Sequence, residues 1–154
     1  MTAELELDLN HMRQAEMHAP PLARGVARLL RHMGYGMLSE FLLSSGRRVN
    51  VFGLNRKSAV VIVEIKLSAA DFRSDAKWPD YLAFCDHFYF AVPERFPRRL
   101  VPAETGLLIA DRFGADVIHR APDRRMANGL RQKETRRFAP FAANRLRQVE
   151  DPDF

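Results

Sequence analysis

Cysteine is nearly absent from this 154-residue sequence: Cys85 stands alone. A single thiol closes no internal disulfide and builds no cysteine-based zinc site. Set within AFCDHFYF, Cys85 reads as a small buried residue and not as a nucleophile. Long apolar runs are missing too, because the longest aliphatic stretch, Ala59 to Val63, is far too short to cross a bilayer. The opening segment, MTAELELDLNHMRQAEMHAP, carries Glu4, Glu6, Asp8 and Glu16 and lacks the apolar centre of a secretory signal. A cytoplasmic protein with no membrane partner is therefore expected. Gly34 and Gly36 in HMGYG extend into neither GxxxxGK nor GxGxxG, which leaves ATP and dinucleotide chemistry unsupported. His11, His18, His32, His87 and His119 show no metal-ligand spacing.

What is present is a strongly uneven charge. Residues 1–19 hold four acids against Arg13 alone. Residues 120–147 hold nine basic side chains, eight of them Arg, against Asp123 and Glu134. Arginine forks suit phosphate oxygens better than lysine does, so this field is consistent with nucleic acid. A solvated basic helix face, or an acidic protein partner, accounts for the same charges equally well.

The length suits one domain with one core. PPLARGVARLLRHMGYG places Leu22, Val26, Leu29, Leu30 and Met33 on one helical face and stops at its glycines. MLSEFLLS, RRVNVFGL and AVVIVEIK read as three strands separated by the turns SSG and NRKS. SAADFRSDAKWPDYLAFC reads as a helix capped by Ser68 and bent at Pro79, with Phe72, Ala76 and Leu82 facing inward. HFYFAV is a fourth strand, and TGLLIAD and ADVIHRA form a hairpin about RFG. From Pro122 onward the pattern is helical and basic, with Phe138, Phe141 and Leu146 as its apolar side. This order makes the fold class α/β.

VVIVEIK ends in two charges that a buried strand should not carry. Alternation puts Glu64 and Lys66 on one face, with Val61, Val63 and Ile65 on the other. A hairpin about Lys57 sets Asn50 across from Glu64, and a turn at Ser45 brings Glu40 beside Asn50. The expected cluster is Glu40, Asn50, Glu64 and Lys66 at one end of a small sheet. Oxygen ligands gathered in this way suit Mg²⁺, and a lysine beside them can orient water for attack on phosphorus. The plainer alternative is a cross-strand Glu–Lys ion pair that only holds register.

SGRRVNV, VVIVEIK, SAADFRSDAKWPDY and FCDHFYFAVP together resemble the MmcB-type DNA repair endonuclease family of the PD-(D/E)xK nuclease superfamily. The resemblance runs from about Leu22 to about Pro122. It implies a restriction-endonuclease-like core, a mixed central sheet flanked by helices, over residues 20–122. Residues 1–19 would then be a flexible acidic segment, and 123–154 a basic helical extension packed on the same domain. Glu64 would be the acidic metal ligand, Lys66 the catalytic lysine, Glu40 the upstream acid, and the Ile65 carbonyl a further ligand to Mg²⁺ or Mn²⁺. Where the family pattern has Asp, this sequence has Asn50, which brings an oxygen but no charge. Either Glu40 and Glu64 suffice, or the site is weakened, or the protein binds DNA without cutting it.

Four further residues are candidates for DNA contact. Arg47 and Arg48 precede Asn50 and could clamp the bound strand or pair with nearby acids. Asp71 and Asp75 are expected one helical turn apart as surface charges, followed by Lys77 for phosphate and Trp78 for a base or for the core. A homodimer is compatible with all of this.

Overall fold

Branched and aromatic residues dominate the segments that become strands in the computed structural model, which describes residues 21–154. These are β1 (Tyr35–Leu42), β2 (Arg48–Asn55), β3 (Val60–Ile65), β4 (His87–Val92), β5 (Gly106–Ala110) and β6 (Ala115–His119). They lie side by side in chain order. β1, β2 and β3 are antiparallel neighbours, β4 and β5 run parallel to β3, and β6 returns antiparallel to β5. All of β3 and all of β4 but His87 are buried, as inner strands covered on both faces should be.

Helices cover both faces, so the protein is α/β with a mixed sheet between helical layers. α1 (Pro21–His32) packs Ala23, Val26 and Leu30 onto Val51, Val61, Val63 and Leu108. Gly25 permits that close approach: a Cβ there would lie 2.0 Å from the Asp111 carbonyl oxygen. The other face takes α2 (Ala69–Ser74), a 3₁₀ segment (Trp78–Phe84) and α3 (Asn128–Glu150). Phe138 and Phe141 of α3 meet Phe52 and Phe41, with ring centroids 5.9 and 5.3 Å apart.

Polar contacts fix α3 in place. Arg131 reaches both Asp86 carboxylate oxygens at 2.6 Å, and Asp86 also accepts the Val60 and Met126 N–H groups. Burial alone would raise the Asp86 pKa, but Arg131 and those N–H groups hold it down at about 2. Glu134, fully buried, accepts the Ser44 N–H at 2.9 Å, and Arg137 donates to the Leu42 carbonyl.

Several elements differ from the sequence reading. The helix expected over 68–85 breaks after Ser74: Asp75 is extended, and the chain resumes as the 3₁₀ segment. Asp71 and Asp75 therefore do not share a helical face, and Ala76 is exposed instead of facing inward. Ser68 does cap α2, accepting the Asp71 N–H at 3.1 Å. Residues 122–127 are not helical, because Met126 and Arg124 are tied to Asp86 by their N–H groups; α3 begins only at Asn128. Leu146 is exposed although its neighbour Arg145 reaches β1, and Met33 lies past the end of α1 and is also exposed. The acidic stretch over 1–19 lies outside the described residues.

Candidate active site

The β2–β3 ladder pairs Val51 with Val63 and Phe52 with Ile62 and ends there; the next position sets Asn50 against Glu64, joined through side chains. On the other side, Ser39 opposite Val51 and Phe41 opposite Val49 bracket Glu40 against Asn50. Three residues from three adjacent strands thus form one row. Asn50 holds the row together. Its backbone N–H donates to Glu64 Oε1 at 2.9 Å, its Nδ2 donates to Glu40 Oε1 at 3.2 Å, and its Oδ1 accepts the Ile65 N–H at 2.8 Å.

Glu40 itself leaves the β1 ladder, with φ at 50°, a left-handed conformation rare for a side chain with a Cβ. The guanidinium of Arg145, from α3, donates to the carbonyls of Ser39 and Glu40 and supports that irregular backbone. The sequence carried no signal for this role, because Arg145 lies 105 residues from Glu40.

Lys66 follows β3 and is buried, and its Nζ lies 2.7 Å from Asp75 Oδ2. Asp75 Oδ1 also accepts the Lys77 N–H at 2.8 Å, the short side-chain-to-backbone turn that pulls this residue out of the helix. The spacing of Asp75 and Lys77 before Pro79 was the signal that could have identified it. Asp75 is the residue of this cluster that helical periodicity misassigned.

Burial dominates the electrostatics. It pushes the Glu64 carboxyl up to about 7, against the opposing pull of the Asn50 N–H and Lys66. It raises Glu40 as well, partly offset by Asn50, Arg48 and Arg145. Burial also acts on Asp75, but Lys66 and the Lys77 and Trp78 N–H groups outweigh it, and Asp75 is lowered. Among the described residues, the cluster therefore holds one paired carboxylate, Asp75, and two, Glu40 and Glu64, that lack a formal cation within hydrogen-bonding distance.

Among the described residues, no three His, Cys, Asp or Glu side chains form a group able to hold a metal ion. The cluster's oxygen donors are the Glu40 and Glu64 carboxylates and the Asn50 amide oxygen, which already accepts the Ile65 N–H; the Ile65 carbonyl is the fourth expected donor. That set fits Mg²⁺, which is commonly held by one or two carboxylates and completes its shell with water and phosphate oxygens. It does not fit an all-protein cage.

The four candidate DNA contacts are not equivalent. Arg47 is engaged with Asp80 at 2.9 Å, and Arg48 is half-buried, its Nε without a partner among the described residues. Lys77 is exposed. Trp78 packs against Phe88 and Phe90, with centroids 5.9 and 5.4 Å away, so its ring serves the core. The alternative of a core tryptophan is the one this packing favours.

Comparison with known proteins adds family and fold. A family model described as DNA repair protein MmcB-like matches residues 6–153. The chain is 45% identical to the solved SPO1766 protein of unknown function from Silicibacter pomeroyi, with a TM-score of 0.83, covering 86% of this chain and 90% of that one. A repair endonuclease from Pyrococcus abyssi is 16% identical with a TM-score of 0.35, over 49% of this chain and 39% of that one. No curated protein matches the sequence. Among the described residues, no helix is long and apolar enough to cross a membrane.

Proposed function

The chain belongs to the MmcB-like family of DNA repair proteins, and from that premise we propose that it is a divalent-cation-dependent DNA phosphodiester hydrolase of the PD-(D/E)xK type. The carrying observation is the row of Glu40, Asn50 and Glu64 beside buried Lys66. Carboxylates buried without full charge compensation cost stability, and such groups concentrate where chemistry uses them.

Glu64 and Glu40 would hold Mg²⁺ or Mn²⁺, with the Asn50 amide oxygen and the Ile65 carbonyl as neutral donors. The ion, when bound, supplies charge neutralisation at the scissile phosphate and acidifies water. Asn50 keeps the two carboxylates in register across three strands. Lys66 presents its ammonium beside them, where it can donate to a phosphate oxygen or orient the attacking water. Asp75 holds that ammonium at 2.7 Å until phosphate competes for it. Half-buried Arg48 and exposed Lys77 would contact the flanking phosphodiester backbone.

A specific observation favours a second reading, a DNA-binding module without catalysis. Both polar ends of the Asn50 amide are already engaged, and Asn50 brings no charge. Incubating single-stranded, duplex and branched DNA with Mg²⁺ or Mn²⁺ separates the two readings, using wild type, Lys66→Ala and Asn50→Asp. Cleavage by wild type that disappears in Lys66→Ala supports the hydrolase. Cleavage only by Asn50→Asp supports the binding module. Silence from all three proteins together with no DNA binding overturns both.

A further inference from the structure

The opposite end of β2 carries a different surface. There α1 turns into β1 through Gly34, at φ 92°, and β2 turns into β3 through residues 55–58. The two turns enclose an open groove of about 690 Å³ lined by Arg31, Tyr35, Arg56 and Lys57 among others, with no carboxylate among the described lining residues. Arg31, Arg56 and Lys57 are exposed, and none of them makes an ion pair with any described residue. Three cations around one groove with no described counter-charge repel one another, and a polyanion relieves that repulsion.

The groove is built on rigid backbone. Asn55 Oδ1 accepts the Lys57 and Ala59 N–H groups, each at 2.9 Å. Ser58 adopts φ 61°, and its carbonyl is held by Arg131 at 2.6 Å. Arg56 and Lys57 therefore project from a fixed turn, not a loose loop. Beyond Arg31, the exposed side chains of Arg24 and Arg28 continue the basic line along α1 at helical spacing, over roughly 10 Å.

This surface is separate from the Glu64 cluster. Asn50 and Asn55 are five residues apart on β2, roughly 17 Å in an extended strand. The line along α1 also lies on the opposite face of the sheet, since Glu64 shares the face of Val60 and Ile62, which pack toward α3. One phosphate cannot serve both places. We propose that the Arg31–Arg56–Lys57 groove binds the phosphodiester backbone of a second DNA segment, distinct from the one presented to Glu64. The inference rests on the DNA-acting reading and extends its footprint to the far end of the sheet.

The test is fluorescence anisotropy of a 30-base-pair duplex and a three-way junction against salt, a substrate size of about three helical turns. Wild type is compared with Arg56→Ala/Lys57→Ala, with Arg31→Ala, and with the charge-matched control Arg99→Ala/Arg112→Ala, each checked for an unchanged melting temperature. Loss of two phosphate contacts predicts affinity for the junction about tenfold weaker and a log–log salt slope smaller by about two, with little change in the control. Arg31→Ala, a single truncation on a helix and not in the turn, should lower the slope by about one. Wild-type binding with groove variants of equal affinity and slope would overturn the groove and leave the DNA reading standing. An equal loss in the control would reduce the groove to net charge alone and also overturn it. Absence of wild-type binding at low salt would overturn both readings together.

Discussion

The Lys66 ammonium lies 2.7 Å from the Asp75 carboxylate, with side-chain exposures of only 9% and 11%. The catalytic lysine of the proposed site is therefore neither free nor paired with Glu64, its neighbour two residues away. Asp75 reaches it from just past α2, where an Asx-type turn ends the helix. A buried ammonium needs such a partner, because an unpaired charge in this setting is strongly destabilising.

Asp75→Ala should consequently destabilise the fold by about 3 kcal/mol, and Lys66→Met in the same chain should recover much of that loss. Urea denaturation of the two single variants and the double variant measures the coupling. Independent, additive losses would show that the pair contributes no specific interaction.

Glu64 sets a pH dependence of definite sign. Its folded pKa of about 7 lies above the ordinary 4.5, so the folded state binds the extra proton. Its contribution to stability is full below about pH 4.5 and is lost as pH rises through 7, a span worth on the order of 3 kcal/mol. Glu64→Gln should remove that slope, gaining on wild type above pH 7 in melting experiments without metal. Asp86, held at about 2, acts in the opposite direction: its stabilisation is present above the ordinary 3.8 and fades as pH falls toward 2. A wild type and Glu64→Gln pair with parallel pH profiles would contradict the assignment.

Asn50→Asp exchanges a donor for a charge. The Glu40 Oε1 would lose its 3.2 Å amide donor and face a second carboxylate. In EDTA the variant should be less stable by about 1–3 kcal/mol. Added Mn²⁺ should raise its melting temperature more than that of wild type, because ligand charge strengthens cation binding. Equal responses of the two proteins to Mn²⁺ would show that position 50 does not face the ion.

Much of this was legible in the sequence, for physical reasons. The NRKS turn and the branched residues around it determine the β2–β3 register, and that register carries Asn50 to Glu64. The row with Glu40 follows from the β1–β2 pairing alone. What periodicity could not show was where side chains compete with the helix. Asp75 fits the i, i+4 pattern with Asp71, yet its carboxylate prefers the Lys77 N–H and Lys66 to continuing the turn. Arg145 and Glu134 were equally invisible, since their partners on the β1–β2 hairpin lie 90 or more residues away. Trp78 could stack on a base by composition, and only packing assigns it to Phe88 and Phe90.

The most direct measurement is a calorimetric titration of the metal-free protein with Mn²⁺ and then Mg²⁺, beside Glu64→Gln. The expected result is one ion per chain at pH 7.5, binding lost in Glu64→Gln, and release of protons on binding at pH 6, where Glu64 is largely protonated. No ion binding by wild type, or equal binding by Glu64→Gln, would contradict the assignment of this cluster as a cation site.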